Sequence, residues 1–173
     1  MSDGSSPTAT NFVLVATLVV TAAAVAMVLG GPLGARDAVP YLVLFTVLFL
    51  LRVLGQIAVL LRAPSWLPPV EGENWNLVPY RILLPAQLAI FALMCAIIAG
   101  VWNERAPFGV RHVAIGRALI AASAVYAGVM AVRYVVRMAR RPEQRWFGGA
   151  IPIVFHMVLA AFLLTWGRYH VSR

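Results

Sequence analysis

Lysine is absent from this 173-residue sequence, and all fourteen basic residues are arginine. A chain without a lysine amine has no Walker A lysine for nucleotide phosphates and forms no Schiff base with retinal or pyridoxal phosphate. Cysteine is almost absent too, since Cys95 is the single one. The sequence therefore excludes an intrachain disulfide and a Cys-x-x-Cys redox pair.

Acidic residues are scarce, with six Asp and Glu in the whole chain, and none lies within its five long apolar stretches. Enzymes that hold magnesium on clustered carboxylates need side chains that these stretches lack. A proton or sodium relay through intramembrane carboxylates needs them as well. The apolar part of the chain therefore fits neither class.

Apolar sequence is what the chain has in abundance. Hydrophobic residues make up 62% and charged residues 12%, against about 45–50% and about 25% in soluble domains. Because about 20 apolar residues cross the ~30 Å core of a bilayer, the stretches predict an all-α, polytopic membrane bundle with five transmembrane helices in one domain over 1–173. The spans are predicted near 12–30, 41–61, 82–101, 112–132 and 150–167, with the 62–81 loop as a candidate cap on the inner side.

The tryptophans support this register, because all five fall at span ends or in loops, where their rings settle at the headgroup level. They are Trp66, Trp75, Trp102, Trp146 and Trp166. The net charge of +8 is interpreted as a consequence of topology and anionic lipid, and not as a sign of nucleic-acid binding. The arginine-only composition, rich in Ala, Val and Leu, indicates a bacterial protein.

Arginine placement predicts the orientation of the bundle. The N-terminal tail, the 62–81 loop and the 133–149 loop share one side, and a short arginine-rich loop such as 133–149 resists translocation. We therefore expect the N-terminus in the cytoplasm and the chain in a cell (inner) membrane. No stop signal precedes Pro142, so the fourth helix should continue past 132 and present arginines to anionic headgroups. These residues are Arg133, Arg137, Arg140 and Arg141.

Small residues recur along the fourth span at a spacing that lets a neighbouring helix approach closely. The favoured interpretation is packing within the chain, and the alternative is an interface with a second copy or another membrane subunit. The residues are Ala114, Ala118, Ala122, Ala124 and Gly128.

Polar residues on four predicted helices fall at one depth, counted at 1.5 Å per residue from the inner boundary. Gln56, Gln87, Tyr126 and His156 lie ~9 Å from that boundary and Arg52 lies ~15 Å from it. Their common depth predicts one polar pocket in the inner half of the bundle, suited to the headgroup of an anionic lipid or a quinone.

Arg52 needs compensation, because a cation on an apolar helix is costly. Three partners are open: Gln56 and Gln87 with backbone carbonyls in a structural role, Glu71 or Glu73 folded in from the 62–81 loop, or an external anion or carbonyl. His156 is either a hydrogen-bond donor in the packing or a group that acts on a ligand.

The sequence thus predicts a small integral membrane protein that is an accessory subunit of a membrane complex or binds an anionic lipid or quinone headgroup. The alternative is an enzyme on a lipid-soluble substrate, with His156 as general base and Arg52 as electrostatic stabiliser. No motif identifies a catalytic residue, a metal site or a particular cofactor.

Overall fold

The computed structural model describes residues 7–62, 80–140 and 150–172. These residues form five α-helices and no strand. All five helices are long and apolar enough to cross a membrane, which confirms the predicted all-helical class. The helices are α1 (Pro7–Leu29), α2 (Ala35–Arg62), α3 (Tyr80–Asn103), α4 (Val113–Arg140) and α5 (Ala150–Val171).

The helices extend beyond the apolar stretches that predicted them. α2 begins at Ala35 and not near 41, because Asp37 in its first turn accepts a hydrogen bond from the Gly34 N–H at 3.2 Å and so stabilises an earlier helix start. α4 continues to Arg140, as its sequence predicted. Several predicted features lie outside the described residues: 63–79 of the candidate cap with Glu71 and Glu73, Arg141, and the tryptophans Trp66, Trp75 and Trp146.

α3 ends in a turn that sets the course of the following loop. The Arg105 N–H donates to the Gly100 carbonyl at 3.0 Å and the Glu104 N–H donates to the Val101 carbonyl at 3.2 Å. Glu104 has a left-handed backbone with φ of 50°. Together these features form a Schellman motif. The chain then runs through residues 104–112 and enters α4 at Val113.

α5 lies at the centre of the bundle. It contacts α1, α2 and α4, whereas α3 contacts α2 alone among the described helices. On the α1 side, Leu14 and Val154 share a buried cluster. On the α4 side, the Ser123 hydroxyl donates to the Ala160 carbonyl at 2.8 Å. α3 and α4 are therefore edge helices, and most of their surface is exposed in the isolated chain.

Two glycines allow α4 to approach α5 closely. A Cβ atom added to Gly116 would lie 2.7 Å from the His170 Cβ and 2.8 Å from the Gly167 carbonyl oxygen. A Cβ atom added to Gly167 would lie 2.9 Å from the Gly116 carbonyl oxygen. The face of α4 turned to α5 therefore carries the buried residues Gly116, Ser123 and Met130.

That arrangement corrects the favoured interpretation of the small residues on α4. All five positions are exposed, so packing within the chain, as predicted for them, is wrong. Gly116 was not among the predicted positions, and it is the residue that fixes which face of α4 meets α5. The exposed residues are Ala114, Ala118, Ala122, Ala124 and Gly128.

Candidate functional site

Arg52 lies on α2 where that helix faces α5. It is half-buried, and its guanidinium carbon is 5.8 Å from the centroid of the Phe155 ring. A guanidinium within about 6 Å of an aromatic centroid is attracted by the ring quadrupole. Phe155 therefore compensates part of the cost of this cation. The sequence analysis did not anticipate this partner, since it considered hydrogen-bonding and charged groups.

His156 follows Phe155 on α5 and contacts α4. Its ring and the Tyr126 ring meet edge to face, with centroids 5.8 Å apart. Its Nδ1 is in hydrogen-bonding contact with the Pro152 carbonyl oxygen one turn earlier. Because a carbonyl oxygen only accepts, Nδ1 carries the proton in this contact. A neutral His156 then offers Nε2 as an acceptor or a base.

Arg52 and Tyr126 stand on either side of one strip of α5. Successive residues of an α-helix point about 100° apart, so Phe155 turns to α2 and His156 turns to α4. Within the described ranges, α2 and α4 each pack on α5 and make no close contact with each other. We call the space above this strip the α2–α4 groove. It is floored by half-buried Phe155, His156 and Leu159 and flanked by Arg52 and Tyr126.

The 104–112 loop packs on the C-terminal end of α5. Phe108 and Trp166 pack edge to face with ring centroids 6.0 Å apart. The Trp166 indole N–H also donates to the Phe108 carbonyl at 3.2 Å. The polar groups Arg52 and Tyr126 lie nearer the middle of the groove.

Gln56 and Gln87 complete the predicted set. Gln56 lies one turn beyond Arg52, is buried, and its Oε1 has no hydrogen-bond partner within the described chain. A buried acceptor without a donor costs about 1–3 kcal/mol. Gln87 is half-buried on α3, two turns before the buried Met94 and on the same stripe of that helix.

The residues of the predicted pocket thus lie at contacts between different pairs of helices. The structure joins Tyr126 to His156, and it places Arg52 beside the same strip of α5. Gln87 lies on α3, which packs against α2 and not against α4 or α5 in the described chain. The roles of these residues in ligand binding, and of His156 and Arg52 in an enzyme, stay predictions.

The predicted basic stripe lies on the last turns of α4. Arg133 and Arg140 are exposed, and Arg137 is half-buried. Their spacing of four and three residues places them on one face of the helix. Because this face is exposed, its arginines are accessible for the predicted contact with anionic headgroups.

A second polar cluster joins the 104–112 loop to the end of α5. From the sequence, His112, His170 and Glu104 could approach one another at the outer boundary, where a metal site was an unfavoured alternative, but the hydrogen bonds of the cluster were not predicted. The fully buried Tyr169 donates from its hydroxyl to the Gly109 carbonyl at 2.6 Å. The Arg111 guanidinium carbon lies 4.8 Å from the centroid of the Tyr169 ring. The His112 N–H donates to Nδ1 of the buried His170 at 3.2 Å. In the sequence, this cluster is indicated by the run of polar and aromatic residues 166–170, which lies at the boundary of the fifth predicted span.

Among the described residues, no group of three or more His, Cys, Asp and Glu side chains is placed to hold a metal ion. Comparison of the chain with protein-family models, with curated proteins and with solved structures finds no match. The geometry of the α2–α4 groove is therefore the main indication of function.

Proposed function

We propose that the protein is an integral membrane protein with five spans and a cytoplasmic N-terminus, located in the cell membrane of a bacterium. Five long apolar helices support this proposal. Many large hydrophobic side chains are exposed, among them Phe12, Val19, Val125 and Val132. In water such a surface would promote aggregation, whereas lipid chains solvate it.

Within that membrane, we propose that the protein binds the headgroup of an anionic lipid or a quinone in the α2–α4 groove without transforming it. The observation that carries the proposal is the placement of Arg52 and the Tyr126–His156 pair beside one half-buried strip of α5. A guanidinium and a phenol donate to the phosphate or carbonyl oxygens of such a headgroup. The open side of the groove lets the lipid chains remain in the bilayer.

The buried Gln56 carbonyl supports a polar occupant on the same side of the bundle. Because Oε1 lacks a donor in the described chain, a hydroxyl or water carried in with the headgroup would stabilise it. Gln56 and Arg52 are one turn apart, so both can serve one ligand.

The first test is native mass spectrometry and an absorption spectrum of protein purified gently from its own membrane. We expect a retained lipid or quinone, and a loss of about tenfold in its occupancy in Arg52→Ala, since charge-assisted contacts are the strongest available in the groove. His156→Ala should weaken retention as well. A retained quinone is identified by its absorption and its response to a reductant, and a phospholipid by its phosphate.

Arg117→Ala is the matched control, because Arg117 is also an arginine on an apolar helix but is exposed on α4. It should retain the ligand at the wild-type level, and thermal unfolding should show that all variants are folded. Protein that carries no specific lipid or quinone, or equal losses in Arg52→Ala and Arg117→Ala, would contradict the binding proposal.

A second candidate function is an accessory subunit, supported by the exposed small residues of α4. In lipid, small side chains favour helix association because they let backbones approach. We propose that this face binds another membrane subunit, either a second copy or a different protein. The edge position of α4 leaves the face available in the isolated chain.

This second candidate predicts that Ala118→Leu and Gly128→Leu reduce association several-fold, because leucine holds the partner helix away. Single-molecule photobleaching in lipid vesicles measures self-association, and quantitative copurification measures a different subunit. Ala92→Leu on exposed α3 is the matched control and should have no effect. Equal behaviour of all three variants would refute the interface.

A further inference from the structure

Four hydrogen bonds fasten the 104–112 loop to the end of α5, and we call this set of contacts the latch. Trp166 and Tyr169 donate from their side chains to loop carbonyls. The Arg111 guanidinium donates to the Ser172 carbonyl at 2.7 Å. In the fourth bond the direction is reversed, because the loop donates its His112 N–H and the ring of His170 accepts.

The fourth bond depends on the protonation state of His170. Nδ1 accepts from a backbone N–H, so it must keep its lone pair, and a neutral ring then has its proton on Nε2. A proton added to Nδ1 would occupy that lone pair and place two N–H groups against each other. The other three donors of the latch are an indole, a phenol and a guanidinium, which keep their protons between pH 5 and 8.

The His170 ring lies beside the Trp166 and Tyr169 rings, with centroids 5.5 Å and 5.4 Å away, and its charged neighbour is a cation. His170 is 2% exposed, and Nε2 has no hydrogen-bond partner in the described chain. The loop contributes the positively charged Arg111 and the titratable His112. α4 contributes the uncharged Gly116, whose added Cβ would meet the Cβ of His170.

The other ionisable groups at this end of the bundle form different contacts or are exposed. Arg168 donates to the Gly31 carbonyl at 2.7 Å, on the α1 side of α5. Asp37 accepts from the Gly34 N–H. Glu104 is exposed at the end of α3. The Tyr169 hydroxyl donates to Gly109, and the Tyr169 ring lies against the His170 ring with centroids 5.4 Å apart.

We propose that His170 makes the latch sensitive to pH. At neutral pH the uncharged ring holds the His112 amide and keeps the 104–112 loop on α5. As pH falls, protonation of His170 removes that bond and adds a positive charge close to Arg111. The loop then detaches from the end of α5. Release of the loop does not depend on whether the groove holds a ligand.

The test is hydrogen exchange of the full chain in lipid nanodiscs between pH 7.5 and pH 4.5, corrected for intrinsic exchange rates. We expect protection of the amides in 108–112 to fall about tenfold at the acidic end, as for the loss of one hydrogen bond and its neighbours. Amides within the central turns of α5 should keep their protection, which separates local release from unfolding.

His170→Asn and His112→Gln form the decisive pair of variants. The Asn carbonyl oxygen takes the place of Nδ1 as acceptor but does not titrate in this range, so His170→Asn should keep the latch closed at both pH values. His112→Gln retains the backbone N–H and should respond like the wild type. Histidine ¹⁵N spectra of the wild type should show the His170 proton on Nε2 at neutral pH.

Three results would overturn the proposal. The first is wild-type protection that does not change down to pH 4.5. The second is a pH response that persists in His170→Asn, since Glu104 or another group would then be responsible. The third is a response lost in His112→Gln. If His170→Asn fails to fold, the wild-type exchange and the ¹⁵N spectra decide the question without it.

Discussion

Replacing Gly116 by alanine is expected to destabilise the protein by about 3 kcal/mol, the upper part of the usual cost of an overpacked contact. The added Cβ would lie within 2.8 Å of the Gly167 carbonyl oxygen and 2.7 Å of the His170 Cβ. A carbonyl oxygen and a Cβ are backbone-fixed atoms and move only if α4 and α5 move apart. Thermal or denaturant unfolding followed by circular dichroism in a mild detergent measures the effect.

Gly128→Ala is the control for this experiment. A Cβ added at Gly128 meets nothing within 4 Å, and alanine favours a helix over glycine by about 0.5–1 kcal/mol. We therefore expect equal or slightly higher stability. If Gly116→Ala were tolerated as well as Gly128→Ala, α4 would not approach α5 as closely as described.

Tyr169→Ala is expected to cost about 3–5 kcal/mol, as for the loss of a large buried aromatic side chain. The residue is fully buried, its ring stacks under Arg111, and its hydroxyl binds the Gly109 carbonyl. Tyr169→Phe should cost about 1–3 kcal/mol, because it keeps the ring and leaves one buried carbonyl without its donor. The same unfolding measurement gives both values.

Val110→Ala serves as the comparison in the same loop, since Val110 is 40% exposed. Its cost should stay within about 0.5 kcal/mol, as is usual for exposed positions. Equal stabilities of Tyr169→Ala and Val110→Ala would show that the loop is not anchored on α5 through Tyr169.

The helices were predictable because their signal is local. A run of about 20 apolar residues forms a helix wherever lipid is the solvent, and each of the five runs corresponds to one helix of the structure. The extension of α4 to Arg140 also followed from the absence of a stop signal. The early start of α2 did not, because Asp37 acts through a hydrogen bond that hydropathy does not register.

The faces of the helices were much less predictable. The sequence indicated one set of small residues on α4 for packing within the chain, and those residues are exposed. α5 meets α4 at Gly116. This glycine does not belong to the series of small residues four positions apart, so that pattern did not indicate it. In lipid both faces of a helix are apolar, so composition alone does not mark the buried one.

The candidate site shows the same division. Depth counting placed polar residues of four helices at one level, since rise per residue is fixed. It did not show which way each side chain points around its helix axis. The contacts of Phe155 with Arg52 and of Tyr126 with His156 were therefore not predicted. Depth counting placed His112 and His170 at the same boundary, but it did not show the hydrogen bond between these residues, which are distant in sequence.

By itself, the sequence determined the number of helices, their approximate ends and the chemistry that this chain lacks, because those properties depend on composition and on contacts within a few residues. Only the tertiary structure decided which helix lies at the centre, which side chains meet across the α2–α4 groove, and how the 104–112 loop is held. Those features depend on the rotation of each helix about its axis. That rotation is set by close contacts such as Gly116 with Gly167, between residues that are far apart in the chain.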